Sequence, residues 1–337
     1  MQKKLGRQTV RFEKDVIITG SFSSVGKKES EGPLGKYFHK VYTDEKMNQT
    51  SFEKAESELL KSTVLGAMSD CAEQFENIDY IFSGDLLNQC ISTTFAIKDF
   101  GIPFFGIFGA CSTMCEGLSL GAMAIDGNFA KKVVAVTSSH FCSAERQFRF
   151  PLEYGGARTP TAQWTVTGSG AAVLKDEGEG PVITHITTGK IVDMGIKDAN
   201  NMGAAMAPAA ADVIKTHLLE TKRDPSYYDL IVTGDLGKVG MDINVDLLKK
   251  HSFDIQNNYR DCGDMIFDAK KQNTKSGGSG CGCCGSVFCG YFMKMLKKKN
   301  INRLLLVATG ALMSPTSAGQ GLTIPGIAHA VAIENKE

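Results

Sequence analysis

Two kinds of stretch alternate along this chain. Short runs, almost wholly apolar and rich in β-branched residues, are separated by longer amphipathic ones. "IDYIFSGDL" (Ile78–Leu86) and "YDLIVTGDL" (Tyr228–Leu236) are two of the short runs, each ending in Gly-Asp-Leu. That pattern predicts a buried strand entering a loop. Each follows a helical stretch, "SFEKAESELLKSTVLGAMSDCAEQF" in one case and "NMGAAMAPAAADVIKTHLLET" in the other. Further on, "GACSTMCEGLSLGAMAID" and "GCGCCGSVFCGYFMKMLKK" each predict a small-residue turn opening an apolar helix. "KKVVAVTSSH" and "NRLLLVATGA" predict the strands that come next. Cys111 precedes Val133 by 22 residues, and Gly282 precedes Leu304 by the same 22. "GSGAAVL" and "GIAHAVAI" suit closing strands.

One order of helices and strands thus occurs twice. A duplication of this kind predicts one pseudo-symmetric α/β body with strands buried on both faces. The halves are expected at residues 1–180 and 181–337, with the seam near "KDEGEGPV".

Composition narrows the function classes. The 337 residues carry 37 Lys plus Arg and 37 Asp plus Glu, so net charge is zero and no nucleic-acid partner is expected. No apolar run reaches the length of a bilayer span, and "MQKKLGRQTVRFEKD" has no apolar core of a signal peptide, so a soluble chain made in the cytoplasm is expected. Four of the ten cysteines fall within "GGSGCGCCGSVFCG". A metal site would need a second Cys pair or a His at ligand spacing, and none is near. Close packing of small residues at a helix start is the favoured reading, with metal and redox roles the minor ones.

The duplicated order, with a Cys at the turn "GACSTMCEGL", resembles the thiolase fold, and within it ketoacyl-acyl-carrier-protein synthase III. "ATGALMS" is similar to the C-terminal Gly loop of those enzymes. "FRFPLEYGGARTPTAQWTVTGSGA", "GGSGCGC" and "SPTSAGQGLTIPGIAHAV" resemble, more narrowly, the stage V sporulation protein AD family of spore-forming bacteria. The resemblance implies an α/β, thiolase-like, duplicated five-layered α/β/α/β/α fold and a homodimer. It also implies binding of dipicolinic acid (pyridine-2,6-dicarboxylate) or its calcium chelate. The implied setting is uptake in sporulation and release in germination, at the periphery of the spore inner membrane, through membrane proteins of the same solute channel.

Condensing enzymes need a thiolate, two imidazole or amide partners, and an oxyanion hole. Cys111 stands at the nucleophile turn. The partner positions, carried over from the resemblance, fall on Gly234 or Asp235 and on Ser279, none of which can replace an imidazole. The chain therefore reads as a binding protein without catalytic residues, cofactor or metal. The alternative is an acyl-transfer enzyme using Cys111, and a further one is a scaffold for a membrane channel. Candidate ligand-binding residues are Cys111, His140, Gly310, Gly280, Cys281, Asp85, Arg149 and Trp164. His140 closes a strand and reads equally as a ligand donor or as a satisfied hydrogen-bonding group. Asp85 reads first as a helix cap. Arg149 and Trp164 lie in an expected long irregular segment, where guanidinium groups and a flat ring would suit a planar dianion. Packing of that segment over an interface, with Arg paired to Glu145, is the competing expectation.

Overall fold

A computed structural model describes residues 3–148 and 158–336. In the first half the elements run β1 (Thr9–Gly26), α1 (Phe52–Asp70), β2 (Tyr80–Gly84), α2 (Ile91–Ile97), β3 (Phe104–Gly106), α3 (Thr113–Asp126), β4 (Lys132–Ser139) and β5 (Gly168–Lys175). In the second they run β6 (Val182–Thr187), α4 (Met202–Thr221), β7 (Leu230–Thr233), α5 (Gly237–Lys250), β8 (Tyr259–Asp261), α6 (Cys281–Val287), β9 (Arg303–Ala311) and β10 (Gly326–Glu334). The two series are the same series. Strand order across the sheet is β8-β7-β9-β10-β6-β1-β5-β4-β2-β3, so each block repeats one order about a central seam. β2 pairs in parallel with β3 and β4, as β7 does with β8 and β9, while β5 and β10 run antiparallel to their neighbours.

Helix starts follow local chemistry. The Ser51 side chain accepts from the Lys54 N–H at the start of α1, and Asn201 from Ala204 at the start of α4. α1 then buries Ala55, Leu59, Leu60, Val64, Ala67 and Met68, a helical-period stripe.

Alternating strand residues feed different cores. On β4, Val133 and Ala135 join the largest cluster and Val134 and Val136 a second one under α1. On β9, Leu304, Leu306 and Ala308 join the same largest cluster, while Leu305 and Val307 join a third under α4. The largest cluster is therefore a shared central layer holding α3 and α6, and five layers result. The Cys115 thiol of α3 donates to the Leu306 carbonyl of β9, which fixes the first half's helix on the second half's strand. In return, α6 lies on β5. A Cβ on Gly170 would sit 1.9 Å from the Gly285 carbonyl oxygen, so only hydrogen permits that approach. Cys281, Cys283, Cys284 and Cys289 are all fully buried here, and the helix they open continues into a π-turn at Phe288–Phe292. Among the described residues no cluster of His, Cys, Asp and Glu is arranged to hold a metal ion.

The two blocks are one continuous sheet. β1 is 18 residues long; its first part pairs with β6 and its last part with β5, and the register shifts between Arg11 and Val16. Asp126 accepts from the Glu13 and Lys14 N–H groups freed at that irregularity. The segment expected to be irregular after β4 begins instead as a helix, Phe141–Phe148, in which Arg146 pairs with Glu53. No described helix is long and apolar enough to cross a membrane.

Candidate functional site

Cys111 sits at the entrance to α3, on a turn made by its neighbours. The Ser112 N–H and hydroxyl both donate to the Gly109 carbonyl, at 3.0 and 2.7 Å, and the Thr113 hydroxyl donates to Ala110 at 2.6 Å. Ala110 holds φ of +51°, a left-handed conformation costly for any residue with a Cβ. β9 backs this turn at Gly310, where a Cβ would meet the Gly109 carbonyl oxygen at 2.3 Å. Gly310 is thus a packing requirement beneath the turn.

Cys111 opens onto a cavity of about 70 Å³. Ser279, Gln163, Thr165, Glu145 and Asn200 supply its polar groups; Leu86, Phe108, Ala144, Phe148 and Met313 are its apolar wall. Among the described residues no Lys, Arg or His lines it. At about 10–15 Å³ per water site, the space equals about five waters, or on the order of 150 Å³ of ligand. That is room for a substituted single ring.

Behind the wall lies Asp235, fully buried. Its carboxylate accepts from the Gly280 N–H at 2.9 Å, the Ser279 hydroxyl at 3.2 Å and the Thr309 hydroxyl at 2.7 Å, and it also faces the Cys111 thiol. Burial raises its pKa, against the pull of those donors. Burial, then the neighbouring Asp235 carboxylate, pushes the Cys111 thiol well up. Gly280, at φ +104°, bends the chain so that its N–H reaches Asp235.

Gln163 ties the segment after the Phe141–Phe148 helix to this centre. Its amide NH₂ donates to the Asp235 and Gly278 carbonyls at 2.6 and 2.9 Å, which fixes the amide orientation. Its Oε1 is buried without a partner. The Arg158 guanidinium stacks on Trp164 with its carbon 4.4 Å from the ring centroid, and donates to Gln163 O and Glu145.

Several candidate residues lie elsewhere. His140 does not reach the cavity. Its Nδ1 accepts from the Cys142 N–H at 3.1 Å, so its Nε2 carries the proton and donates to the Glu45 carbonyl at 2.8 Å. Burial lowers its pKa, and a neutral, doubly satisfied ring is not a cation for a ligand. Asp85 accepts from the Leu87 and Thr93 N–H groups at 2.8 and 2.7 Å and secures the entry to α2. It does not line the cavity, although the adjacent Leu86 does. Trp164 stacks on Phe141 at 4.0 Å and carries the Lys28 ammonium 4.1 Å from its centroid. It buttresses the wall from outside, between the lining residues Gln163 and Thr165. Cys281 packs with Cys111, Leu86 and Ala144 and donates to the Ser138 carbonyl at 2.9 Å. Arg149 lies outside the described residues. Of the residues not foreseen as ligand contacts, Ser279 and Asp235 carried a signal in their motifs. Gln163, Thr165, Glu145 and Asn200 carried none, because no local pattern distinguishes a loop side chain that faces a cavity.

The comparisons agree with this fold. The family model described as "Stage V sporulation protein AD" matches residues 6–334. The chain is 44% identical over 332 residues to stage V sporulation protein AD of Bacillus subtilis (strain 168), covering 98% of each. Among solved structures it is similar to 3-oxoacyl-[acyl-carrier-protein] synthase III from Aquifex aeolicus VF5, with a TM-score of 0.56 and 14% identity, covering 95% of this chain and 99% of that one. Cerulenin-bound OleA from Xanthomonas campestris matches with a TM-score of 0.62 and 12% identity over 96% and 97%. At such identities these structures establish the thiolase-like fold alone.

Proposed function

The chain belongs to the stage V sporulation protein AD family, and from that premise we propose that it is a non-catalytic binding protein for dipicolinic acid. Uptake of that acid in sporulation and its release in germination would be the process served. The observation that carries the reading is the make-up of the cavity at Cys111. A nucleophile turn is present, yet the groups beside the thiol are a carboxylate and a hydroxyl, Asp235 and Ser279. Neither supplies the imidazole-type donor that stabilises a thioester oxyanion, a loss of about 3–4 kcal/mol for each such donor removed. The space fits one substituted ring. The ligand would be the free acid or its calcium chelate, in which metal and dianion neutralise each other.

We extend the proposal to assembly. β3 is an edge strand of the sheet, and Phe105 on it and Phe108 just after it are about half exposed. An unpaired edge flanked by aromatic rings suits pairing with a second copy across a two-fold axis. Phe108 also lines the cavity, so a partner copy would help to close it. Sedimentation at micromolar concentration checks the dimer. Attachment to the spore inner membrane would run through membrane partners of the same solute channel, and recovery in the inner-membrane fraction only when those partners are present checks that.

Calorimetric titration with dipicolinate, with and without calcium, tests the ligand. Ala199→Leu and Thr165→Leu fill the cavity at positions only partly buried, so both variants should fold. Saturable binding by the parent and its loss in both variants is expected. Parent-like binding in both would move the site elsewhere, and turnover of an acyl thioester that vanishes in Cys111→Ala would replace the reading with an enzyme. Gly310 is unsuitable as a test position, because any side chain there displaces the Gly109 backbone.

A further inference from the structure

On the reading of the cavity at Cys111 as a site for a dicarboxylate, we propose that Arg158 is a positioning residue that sets the charge of that cavity. By pairing with Glu145 it cancels the carboxylate in the lining and makes the space acceptable to an anionic ligand.

Glu145 stands on the Phe141–Phe148 helix together with Ala144 and Phe148, and all three line the cavity. Their spacing puts them on one helical face. Glu145 is the one acidic residue of the described lining, and its side chain is 11% exposed. Bulk water therefore screens it weakly, and its charge acts across the cavity. An entering carboxylate would meet a charge of its own sign.

The counter-charge comes from the segment that returns from this helix towards Thr165. Arg158 donates from Nη2 to Glu145 Oε1 at 3.0 Å and from Nη1 to the Gln163 carbonyl at 2.9 Å. Its guanidinium carbon is also 4.4 Å from the Trp164 ring centroid and 5.3 Å from that of Phe141, two rings stacked on each other at 4.0 Å. Two hydrogen bonds and a cation–π contact hold the cation at Glu145, with the Arg158 side chain 15% exposed. Arg158 is not among the described lining residues, so it acts on the ligand through Glu145. With both partners present the pair has only the field of a dipole. With Arg158 removed, the carboxylate remains as an uncompensated charge in the wall.

Alkylation of Cys111, which lines the same cavity, reads this charge without any assumption about the ligand. Iodoacetate is an anion and iodoacetamide its neutral counterpart. With either, the Cys111 thiolate sulfur forms the bond to the methylene carbon, iodide leaves, and the thiol proton goes to solvent. The ratio of the two rates at one fixed pH cancels thiol ionisation and leaves the potential at the sulfur. Peptide mapping by mass spectrometry gives that ratio in the folded, full-length chain, and calorimetric titration with calcium-free dipicolinate is run beside it. Arg158→Gln should lower the ratio of iodoacetate to iodoacetamide rates roughly tenfold and weaken dipicolinate by roughly tenfold or more, the size of effect one unit charge has at close range in a shielded site. Arg158→Lys keeps the charge and loses the planar fork, and should hold both values within about threefold of the parent. Combining Arg158→Gln with Glu145→Gln removes both charges and should recover most of both losses. A Lys variant as impaired as the Gln variant, or no recovery in the double variant, would make Arg158 a strut and overturn the inference. If Arg158→Gln does not fold, Glu145→Gln alone decides: it should raise the ratio, and an unchanged ratio overturns the inference. A parent that does not bind dipicolinate, with the rate ratios as expected, sinks the binding reading and leaves the role of Arg158 standing. Cys111 beyond the reach of both reagents in a chain that binds no dipicolinate overturns both, because each needs a cavity that can be entered.

Discussion

Replacing Glu29 by Gln should flatten the fall in stability between pH 5 and pH 9. Glu29 lies on the short helix Lys27–Ser30 and is 1% exposed. Its carboxylate accepts from the Thr167 N–H at 3.0 Å, and among the described residues no cation pairs with it. Burial raises its pKa from an ordinary 4.5 to about 8, against the pull of that backbone donor. A raised carboxyl pKa means that the folded chain binds a proton the unfolded chain has released. The stabilisation is full below the unfolded pKa and is lost as pH rises through the folded value. A displacement of this size is worth on the order of 5 kcal/mol, a large part of a reserve of about 5–15 kcal/mol. Gln stays neutral and its amide oxygen can still take the Thr167 N–H. Urea unfolding of parent and Glu29→Gln at pH 5 and pH 9 gives the comparison. Glu56 and Asp261, also buried and raised to about 8 and about 7, titrate in both proteins and so cancel in the difference. The parent should lose several kcal/mol more than the variant. Losses equal to within about 0.5 kcal/mol would refute the reasoning. The site is affected as well, because Thr167 also receives the Phe141 N–H on its hydroxyl and closely follows the lining residues Gln163 and Thr165.

Gly170→Ala should cost about 3 kcal/mol or more and lower Tm by roughly 6 °C or more, because its Cβ would sit 1.9 Å from the backbone of α6; thermal unfolding checks it, and an unchanged Tm would contradict the Gly170–Gly285 contact. His140→Ala should cost about 1–3 kcal/mol through the lost bonds to Glu45 and Cys142, yet leave dipicolinate affinity within about twofold of the parent. A large loss of affinity with intact stability would return His140 to the site.

Local pattern was enough for the fold. The paired Gly-Asp-Leu strand ends, the 22-residue spacing and the apolar runs of β4 and β9 each record a constraint that acts along the chain: strands buried on both faces must be apolar throughout, and a repeated unit repeats its punctuation. The small residues of "GCGCCG" likewise announced close packing, which the contact of Gly285 with Gly170 bears out. Cys111 at a helix entrance was legible for the same reason. What the chain could not announce was which way side chains face once the loops meet. His140, one residue past a strand, closes on Glu45 and Cys142 of its own neighbourhood, and Trp164 turns its ring to Phe141 and Arg158 while its neighbours face the cavity. Gln163 and Asp235 are 72 residues apart, and their meeting depends on the folded-back segment before β5. Sequence periodicity encodes burial within one element; the convergence of Ser279, Gly280 and Thr309 on the Asp235 carboxylate is set only when their elements pack.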